Sequence, residues 1–144
     1  MWEALQHAEW VSILATSRLI YGLVSVIHHV AVLFSIGTIL LLNVRILGGN
    51  QHHAVSALAE QLRPWTWIGL VSAVISGFLL FASQAASYVE ATPFLVKMSI
   101  SVLAVIAALA AEWSHAKPLA LISIVLWLGA LLAAVEISEL TGLG

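Results

Sequence analysis

Apolar residues occur in four long runs that are separated by short polar segments. A helix needs about 20 mostly apolar residues to cross the hydrocarbon core of a bilayer, and each run comes close to this length. The strands of a membrane β-barrel would be shorter and would alternate in polarity, which these runs do not. The pattern predicts four transmembrane helices over residues 19–42, 65–81, 94–111 and 119–137.

The segments between the runs contain residues that interrupt helices. Glycine and proline are the strongest local breakers, and they stand at every boundary. Short connections between consecutive helices favour antiparallel neighbours. The sequence therefore predicts one integral membrane domain over residues 1–144, an all-α bundle of four transmembrane helices running up-down-up-down. The boundary residues are Gly48, Gly49 and Asn50 after the first run, Pro64 at the start of the second, Pro93 before the third, and Lys117 and Pro118 before the fourth.

Residues 2–17 precede the first run and have a mixed polar and apolar character. Trp2 and Trp10 lie in this segment, and tryptophan is enriched where a membrane meets water. We expect a short amphipathic helix that lies along the membrane interface.

The composition agrees with lipid as the main solvent. Hydrophobic residues make up 62% of the chain and charged residues 8%, whereas soluble domains carry about 25% charged residues. The net charge of −2 gives no indication of nucleic-acid binding. The chain has no cysteine, which excludes disulfides, thiolate-bound zinc or iron–sulfur clusters, and covalently attached c-type haem.

The distribution of Lys and Arg predicts an orientation. Arg45, Arg63 and Lys117 fall on one side of the predicted membrane, and Arg18 and Lys97 fall on the other. Cytoplasmic loops carry the basic excess in membrane proteins. We therefore expect a multi-pass membrane protein with both termini outside the cytoplasm.

Small and polar residues recur every three or four positions along each run, and this spacing keeps them on one helix face. Membrane helices associate through such faces, so we expect these stripes to point into the bundle. The stripe on the first run comprises Arg18, Tyr21, Ser25, His28, Val32 and Ser35, and that on the second comprises Gly69, Ser72, Ser76, Leu79 and Ser83.

His28 is the most informative residue on these stripes, because ionisable side chains inside a membrane are costly and commonly functional. Imidazole binds haem iron or copper and relays protons near neutral pH. A structural alternative is a neutral ring hydrogen-bonded to Ser25 or to a hydroxyl on a neighbouring helix. His29 points about 100° away from His28. The candidate cofactor site comprises His28, His29, Ser25 and Tyr21.

A second axial ligand for a haem on His28 is not evident. Counting along the predicted spans places Leu80, Ile106 and Leu128 level with His28, and none of these can bind iron. The iron would then be five-coordinate, or its sixth ligand would come from His29, from His7, from a second copy of the chain or from a partner subunit. Met98 lies nearer the outer surface and is a weaker candidate.

Further polar residues form three weaker candidate sites. Imidazoles and a carboxylate at the cytoplasmic face could hold a divalent metal, although a solvated pair of histidines in a loop is the plainer interpretation. A buried ion pair is expected for Glu136 with Lys97 or Arg18, and a proton-handling carboxylate is the alternative. Tyr88 and Gln84 could line a quinone or the edge of a haem. The possible metal ligands are His52, His53, His115 and Glu112.

Several segments together resemble a family of small uncharacterised bacterial four-helix inner-membrane proteins, which is itself distantly similar to the copper-resistance D and b-type cytochrome membrane domains. The resemblance covers residues 17–134 and implies the four-helix fold and a tendency to bind haem, with the family's first-helix histidine falling on His28. The chain departs from the family pattern at the end of the fourth run: the family has a Gly-Arg pair and an aromatic residue there, whereas Ala134 and Val135 are followed here by Glu136 and an acidic tail. For the bacterial inner membrane that the resemblance implies, both termini are expected in the periplasm. The segments are residues 28–37, 37–48, 62–64 with Gly69, 76–81, 92–94 with Lys97, and 123–129.

These observations favour a membrane subunit over a stand-alone enzyme. The first hypothesis is a haem-binding, electron-transfer subunit with a b-type haem on His28. The second is a non-catalytic accessory or assembly subunit of a larger membrane complex, and the third is a small transporter or metal-handling protein. The expected partners are the lipid bilayer and either further copies of the chain or other membrane subunits, with quinone as a candidate small molecule. Nucleic acid is not expected as a partner.

Overall fold

The computed structural model describes residues 9–49 and 52–141, and within these ranges the chain is helical without strands. The predicted all-α class is therefore confirmed. One or two residues separate consecutive helices at Ser17, at Gln84, at Ala91 and at residues 115–116. The helices are α1 (Glu9–Thr16), α2 (Arg18–Gly48), α3 (His52–Ser83), α4 (Ala85–Glu90), α5 (Thr92–Ser114) and α6 (Lys117–Thr141).

Three helices of the described ranges are long and apolar enough to cross a membrane: α2, the Val55–Ser83 part of α3, and α5. With 31 residues in α2 and 23 in α5, a rise of 1.5 Å per residue gives lengths of about 46 Å and 35 Å. Both exceed the hydrocarbon thickness of about 30 Å. The apolar part of α6, Lys117–Ala133, is shorter, so a fourth crossing stays a prediction.

The helix boundaries differ from the prediction at the second span. Pro64 lies inside α3, which already begins at His52, so the expected break at Pro64 and the expected loop around His52 are both wrong. Proline removes one backbone hydrogen bond and affects a single turn, and membrane helices tolerate that loss. Pro93 stands in the first turn of α5, where a missing N–H costs nothing.

Helices α2 and α3 pack antiparallel along most of their length. Ser35 on α2 faces Gly69 on α3, and His28, nearer the start of α2, faces Ser76, nearer the end of α3. Gly69 allows this approach because a Cβ there would overlap the Ser35 hydroxyl and lie 3.3 Å from the Ala31 carbonyl oxygen. We call the two ends of this helix pair the His28 end and the Arg63 end.

Helices α5 and α6 form a second antiparallel pair that packs on α2. The buried Asn43 side chain of α2 donates to the Ser123 hydroxyl of α6 at 2.9 Å, and that hydroxyl donates to the Ala104 carbonyl of α5 at 3.4 Å. Three helices are thus joined through one chain of hydrogen bonds. Close to it, the apolar core contains Ile36, Ile39, Ala104, Trp127 and Ala130.

Two short helices cover the His28 end. Helix α1 packs on α2 and α3 and buries Val11 and Leu14, so it is part of the bundle. Its polar residues are exposed on the opposite side. Residues 2–8 of the predicted amphipathic segment lie outside the described ranges. Helix α4 places Tyr88 against the stacked rings of Phe94 of α5 and Phe81 of α3.

Candidate functional site

His28 bridges α2 and α3 through one ring nitrogen. Its Nδ1 atom lies 3.0 Å from the Ala73 carbonyl oxygen and 3.2 Å from the Ser76 hydroxyl. A carbonyl oxygen only accepts hydrogen bonds, so Nδ1 carries the proton. The Ser76 hydroxyl donates its own proton to the Ser72 carbonyl at 2.6 Å and can accept from His28 as well. In the neutral ring, Nε2 is therefore the nitrogen with the free lone pair.

The Nε2 atom of His28 makes no hydrogen bond to any part of the chain that the structure describes. A partner on Nδ1 fixes both the tautomer and the ring orientation, and this is the usual way in which a protein prepares a histidine to bind a metal. The same arrangement also joins two helices. The contacts of His28 thus provide a helix–helix hydrogen bond and leave one nitrogen available for a ligand or a proton.

Gly77 gives the His28 ring its place against α3. A Cβ atom at position 77 would lie 2.9 Å from Cε1 and 3.3 Å from Nδ1 of the ring. Any other residue would push the imidazole away from the α3 backbone. Sequence reasoning did not single out Gly77, although a glycine next to Ser76 on the predicted inward stripe was the available signal.

His29 has a different environment from His28. Its Nδ1 atom lies 2.7 Å from the Ser25 carbonyl oxygen one turn earlier in α2, and the side chain is exposed. The two rings are 5.7 Å apart and nearly perpendicular, at 82°. Ser25 therefore contacts His29, and the partner of His28 is on α3.

The residues level with His28 differ from those obtained by counting along the predicted spans. Ser76 rather than Leu80 lies opposite His28 on α3. On α5, which runs parallel to α2, Ala104 already packs with Ile36 and Ile39. His28 precedes these two by about two to three turns, so it lies level with the first turns of α5, near Lys97.

The reason for this error is the unequal length of the helices. Counting from assumed membrane surfaces places each run symmetrically in the bilayer, whereas α2 extends well beyond α5 at the His28 end. Ile106 and Leu128 therefore lie deeper towards the Arg63 end than His28. Trp127 of α6 packs at the level of Ile36 and Ile39. The neighbouring Leu128 is therefore also displaced from the level of His28 towards the Arg63 end.

Lys97 lies in the first turns of α5, at the level of His28. It is half-buried and near enough to His28 for a charge interaction. Among the described side chains, no carboxylate pairs with Lys97. The Glu136 side chain lies outside the described part, and Arg18 is exposed, so the ion pair expected between Glu136 and one of these cations stays a prediction.

Aromatic residues close the site towards α4. Tyr88 stacks on Phe94 at 5.2 Å, and Phe94 stacks on Phe81 at 5.5 Å between ring centres. Burial, together with the nearby Tyr21 hydroxyl to which it is hydrogen-bonded, raises the pKa of Tyr88 to about 12. Tyr88 therefore keeps its proton at physiological pH. Gln84 precedes α4 and is half-buried.

The opposite end contains an ion pair that the sequence did not predict. Arg63 on α3 donates from Nε and Nη2 to the same Glu112 oxygen on α5, at 3.1 and 2.5 Å. His115 Nε2 lies 3.4 Å from the Ser56 hydroxyl. Glu112 and His115 belong to the possible metal set, and the side chains of its other members, His52 and His53, lie outside the described part. Among described side chains, no group of three or more metal-binding residues occurs.

The His28 end thus brings together an imidazole with a free nitrogen, a half-buried ammonium group and two phenols. Such a combination can bind a metal centre that carries anionic groups, or it can move protons. Of the predicted cofactor residues, His28 is held by α3, whereas His29 is hydrogen-bonded to Ser25 within α2; the two imidazole rings remain 5.7 Å apart. Comparison of the chain with models of protein families, with curated proteins and with solved structures finds no match.

Proposed function

We propose that the protein is a small haem-binding subunit for electron transfer in the bacterial inner membrane, with His28 as an axial ligand of a b-type haem. The hydrogen bond from His28 Nδ1–H to the Ala73 carbonyl supports this proposal most directly, because ligating histidines almost always donate their second ring N–H in this way. Bound haem would supply one-electron transfer, while the protein controls ligation, burial and potential.

Each residue of the site has a separate role in this proposal. Ala73 and Ser76 hold the His28 ring, and Gly77 leaves room for it against α3. Lys97 would provide a positive charge for a haem propionate. The propionate would in turn offset the cost of a half-buried cation inside the membrane. The protonated Tyr88 hydroxyl can donate a hydrogen bond at the same place.

The wider arrangement follows the same proposal. Helix α6 crosses the membrane as a fourth span, and both termini lie in the periplasm. Among the residues described, His29 is the other imidazole at the level of His28, and it is exposed on another side of α2. A second copy of the chain or another membrane subunit then supplies the second axial ligand, or the iron stays five-coordinate. The resemblance of residues 17–134 to small uncharacterised four-helix membrane proteins, which are distantly similar to b-type cytochrome domains, is consistent with this arrangement.

A haem titration of the purified protein tests the ligand assignment. We expect wild type to develop a sharp Soret band with reduced α and β bands, and His28→Ala to develop none. His29→Ala is the matched control, because it removes the adjacent imidazole on the exposed side of α2, and it should bind haem as wild type does. Equal haem spectra from wild type and His28→Ala in folded protein would exclude His28 as the ligand.

Rescue by free imidazole separates ligation from folding. His28→Gly leaves a space of the size of the lost ring, so imidazole in solution should restore the Soret band if the side chain served as a ligand. A histidine that only joined α2 and α3 would give a variant with lowered stability and no imidazole-dependent spectrum.

Esterification of the haem tests the role of Lys97. A charge-assisted hydrogen bond contributes about 1.5–3 kcal/mol, so we expect wild type to bind haem at least about tenfold more tightly than haem dimethyl ester. Lys97→Met should reduce this preference, whereas Arg18→Met, which removes an exposed cation at the same end, should keep it. Equal affinity of wild type for both compounds would refute the role of Lys97 and leave the ligand assignment intact.

A further inference from the structure

A cavity at the Arg63 end lies apart from the His28 site, between α2, α3 and α5. The cavity volume that the centre of a water-sized sphere can occupy is about 40 Å³. One water needs about 10–15 Å³ by this measure, so the cavity has room for roughly three waters. Its polar lining consists of Thr38, Asn43, Arg63, Thr66 and Glu112.

The Asn43 amide leaves one acceptor of this lining without a donor. The Ser123 hydroxyl donates its single proton to the Ala104 carbonyl, so it accepts from Asn43 Nδ2. This direction fixes the amide orientation. The Asn43 carbonyl oxygen then has no donor among the described residues, although only 1% of the residue is exposed. A buried acceptor without a donor costs about 1–3 kcal/mol.

The ion pair leaves a second acceptor free. Both donating atoms of Arg63 point at the same oxygen, Oε1 of Glu112. Within the described part of the chain, Oε2 of Glu112 has no donor. The Glu112 side chain is 16% exposed and that of Arg63 is 51% exposed, so the pair stands where the cavity opens to the exterior.

The hydroxyl groups of the cavity have no proton to give to these acceptors. Thr38 donates to the Ser35 carbonyl at 2.8 Å. Thr66 has one proton, which the Thr38 hydroxyl at 2.8 Å and the Leu62 carbonyl at 3.1 Å share. The threonines therefore give no proton to Asn43 Oδ1 or Glu112 Oε2, and water that enters the cavity can donate to both oxygens.

We propose that this cavity is a water-filled chamber inside the membrane-spanning bundle, with the Arg63–Glu112 pair at its mouth. Water is the smallest molecule that provides two donors, and the volume fits a few waters. Polar backbone and side chains are tolerated at membrane depth where they line such a chamber. Thr38 stands ten residues from the end of α2, so the chamber carries water about 15 Å into the bundle.

Cysteine labelling tests this proposal directly, because the natural chain has no cysteine. Methanethiosulfonate reagents react with the thiolate, which forms in water and hardly at all in lipid. We expect Thr38→Cys in membrane vesicles to react at least tenfold faster than Leu41→Cys. Leu41 is the matched control, since it lies one turn away on α2 and is 53% exposed towards the lipid-facing side.

Thr66→Cys provides a second variant on α3, in case Thr38→Cys does not fold. Complete labelling after denaturation serves as the reference for each variant. Equal rates for the chamber variants and the Leu41→Cys control, whether fast or slow, would overturn the proposal. The experiment contains no haem, so its result is independent of the role of His28. The side from which an impermeant reagent reacts also reports the orientation of the chain.

Discussion

The His28 end and the Arg63 end of the bundle use polar residues in opposite ways. At the His28 end, one imidazole nitrogen is held by α3 while the other stays free, and the nearby Lys97 has no carboxylate partner among the described side chains. At the Arg63 end, the charges of Arg63 and Glu112 neutralise each other. Among the described side chains, the His28 end has a cation without an acid, and the Arg63 end has two acceptors, Asn43 Oδ1 and Glu112 Oε2, to which no residue donates.

This difference indicates what each end can bind. An unpaired cation inside a membrane is costly, and an anionic ligand would offset that cost. A neutral cavity with free acceptors needs only water. Polar residues within one helical bundle therefore need not serve the same purpose, and the partners of each side chain indicate which purpose it serves.

The largest effect on stability is expected where α2 and α3 approach most closely, between the two ends. Gly69→Ala places a Cβ against the Ser35 hydroxyl and the Ala31 carbonyl, and overpacking of this kind costs about 1–3 kcal/mol. Gly37→Ala is the control, because nothing lies within 4 Å of its Cβ. Thermal unfolding in detergent should show a lowered midpoint for Gly69→Ala alone. A similar midpoint for both variants would mean that the two helices do not pack at Gly69.

The next effect concerns the hydrogen bond that joins α2 to α6. Asn43→Ala leaves the Ser123 hydroxyl without its donor and adds space to the chamber, and we expect a loss of about 1–2 kcal/mol. Ser123→Ala should cost a similar amount. Because the two side chains form one contact, the double variant should be less destabilised than the two losses added together. Full additivity in equilibrium unfolding would show that Asn43 and Ser123 do not interact.

Gly77→Ala should separate ligand binding from stability at the His28 end. The new methyl group meets only the His28 ring, which can rotate, so the unfolding midpoint should change little. Haem affinity should fall by about tenfold, in the range found when groups that orient a metal ligand are lost. Unchanged affinity measured by titration would show that the position of the ring against α3 is not needed for binding.

The smallest effect is expected at the Arg63–Glu112 pair. Half of the Arg63 side chain is exposed, and exposed ion pairs contribute about 0–1 kcal/mol. Arg63→Met and Glu112→Gln should each shift the unfolding midpoint by a degree or two and leave haem binding unchanged. A loss of several kcal/mol for either variant would mean that this pair is buried in the membrane-bound protein.

The hydrophobic pattern predicted the all-α class and the position of the three long apolar helices, because burial in lipid requires long apolar runs. It did not predict the helix ends. Pro64 was read as a break, yet the surrounding residues continue the helix through it. Helix α4 is only six residues long, which is too short for a periodic signal to emerge from the sequence.

The candidate site was only partly predictable for a related reason. His28 could be chosen because a charged or ionisable residue inside an apolar run is rare. Its partners Ala73 and Ser76 depend on how α2 and α3 are offset, and the offset is fixed by the Gly69 contact rather than by any pattern within one helix. Arg63 and Glu112 were both expected at one end, but 49 residues separate them, and nothing local indicates their pairing.

The absorption spectrum of the protein purified from its own membranes, oxidised and then reduced with dithionite, tests the central proposal most directly. For wild type and His29→Ala we predict a Soret band and a reduced α band of a b-type haem, and for His28→Ala neither. A featureless spectrum from intact wild-type protein that still carries its native membrane partners would contradict haem binding. It would favour an accessory subunit, in which His28 serves only to join α2 and α3.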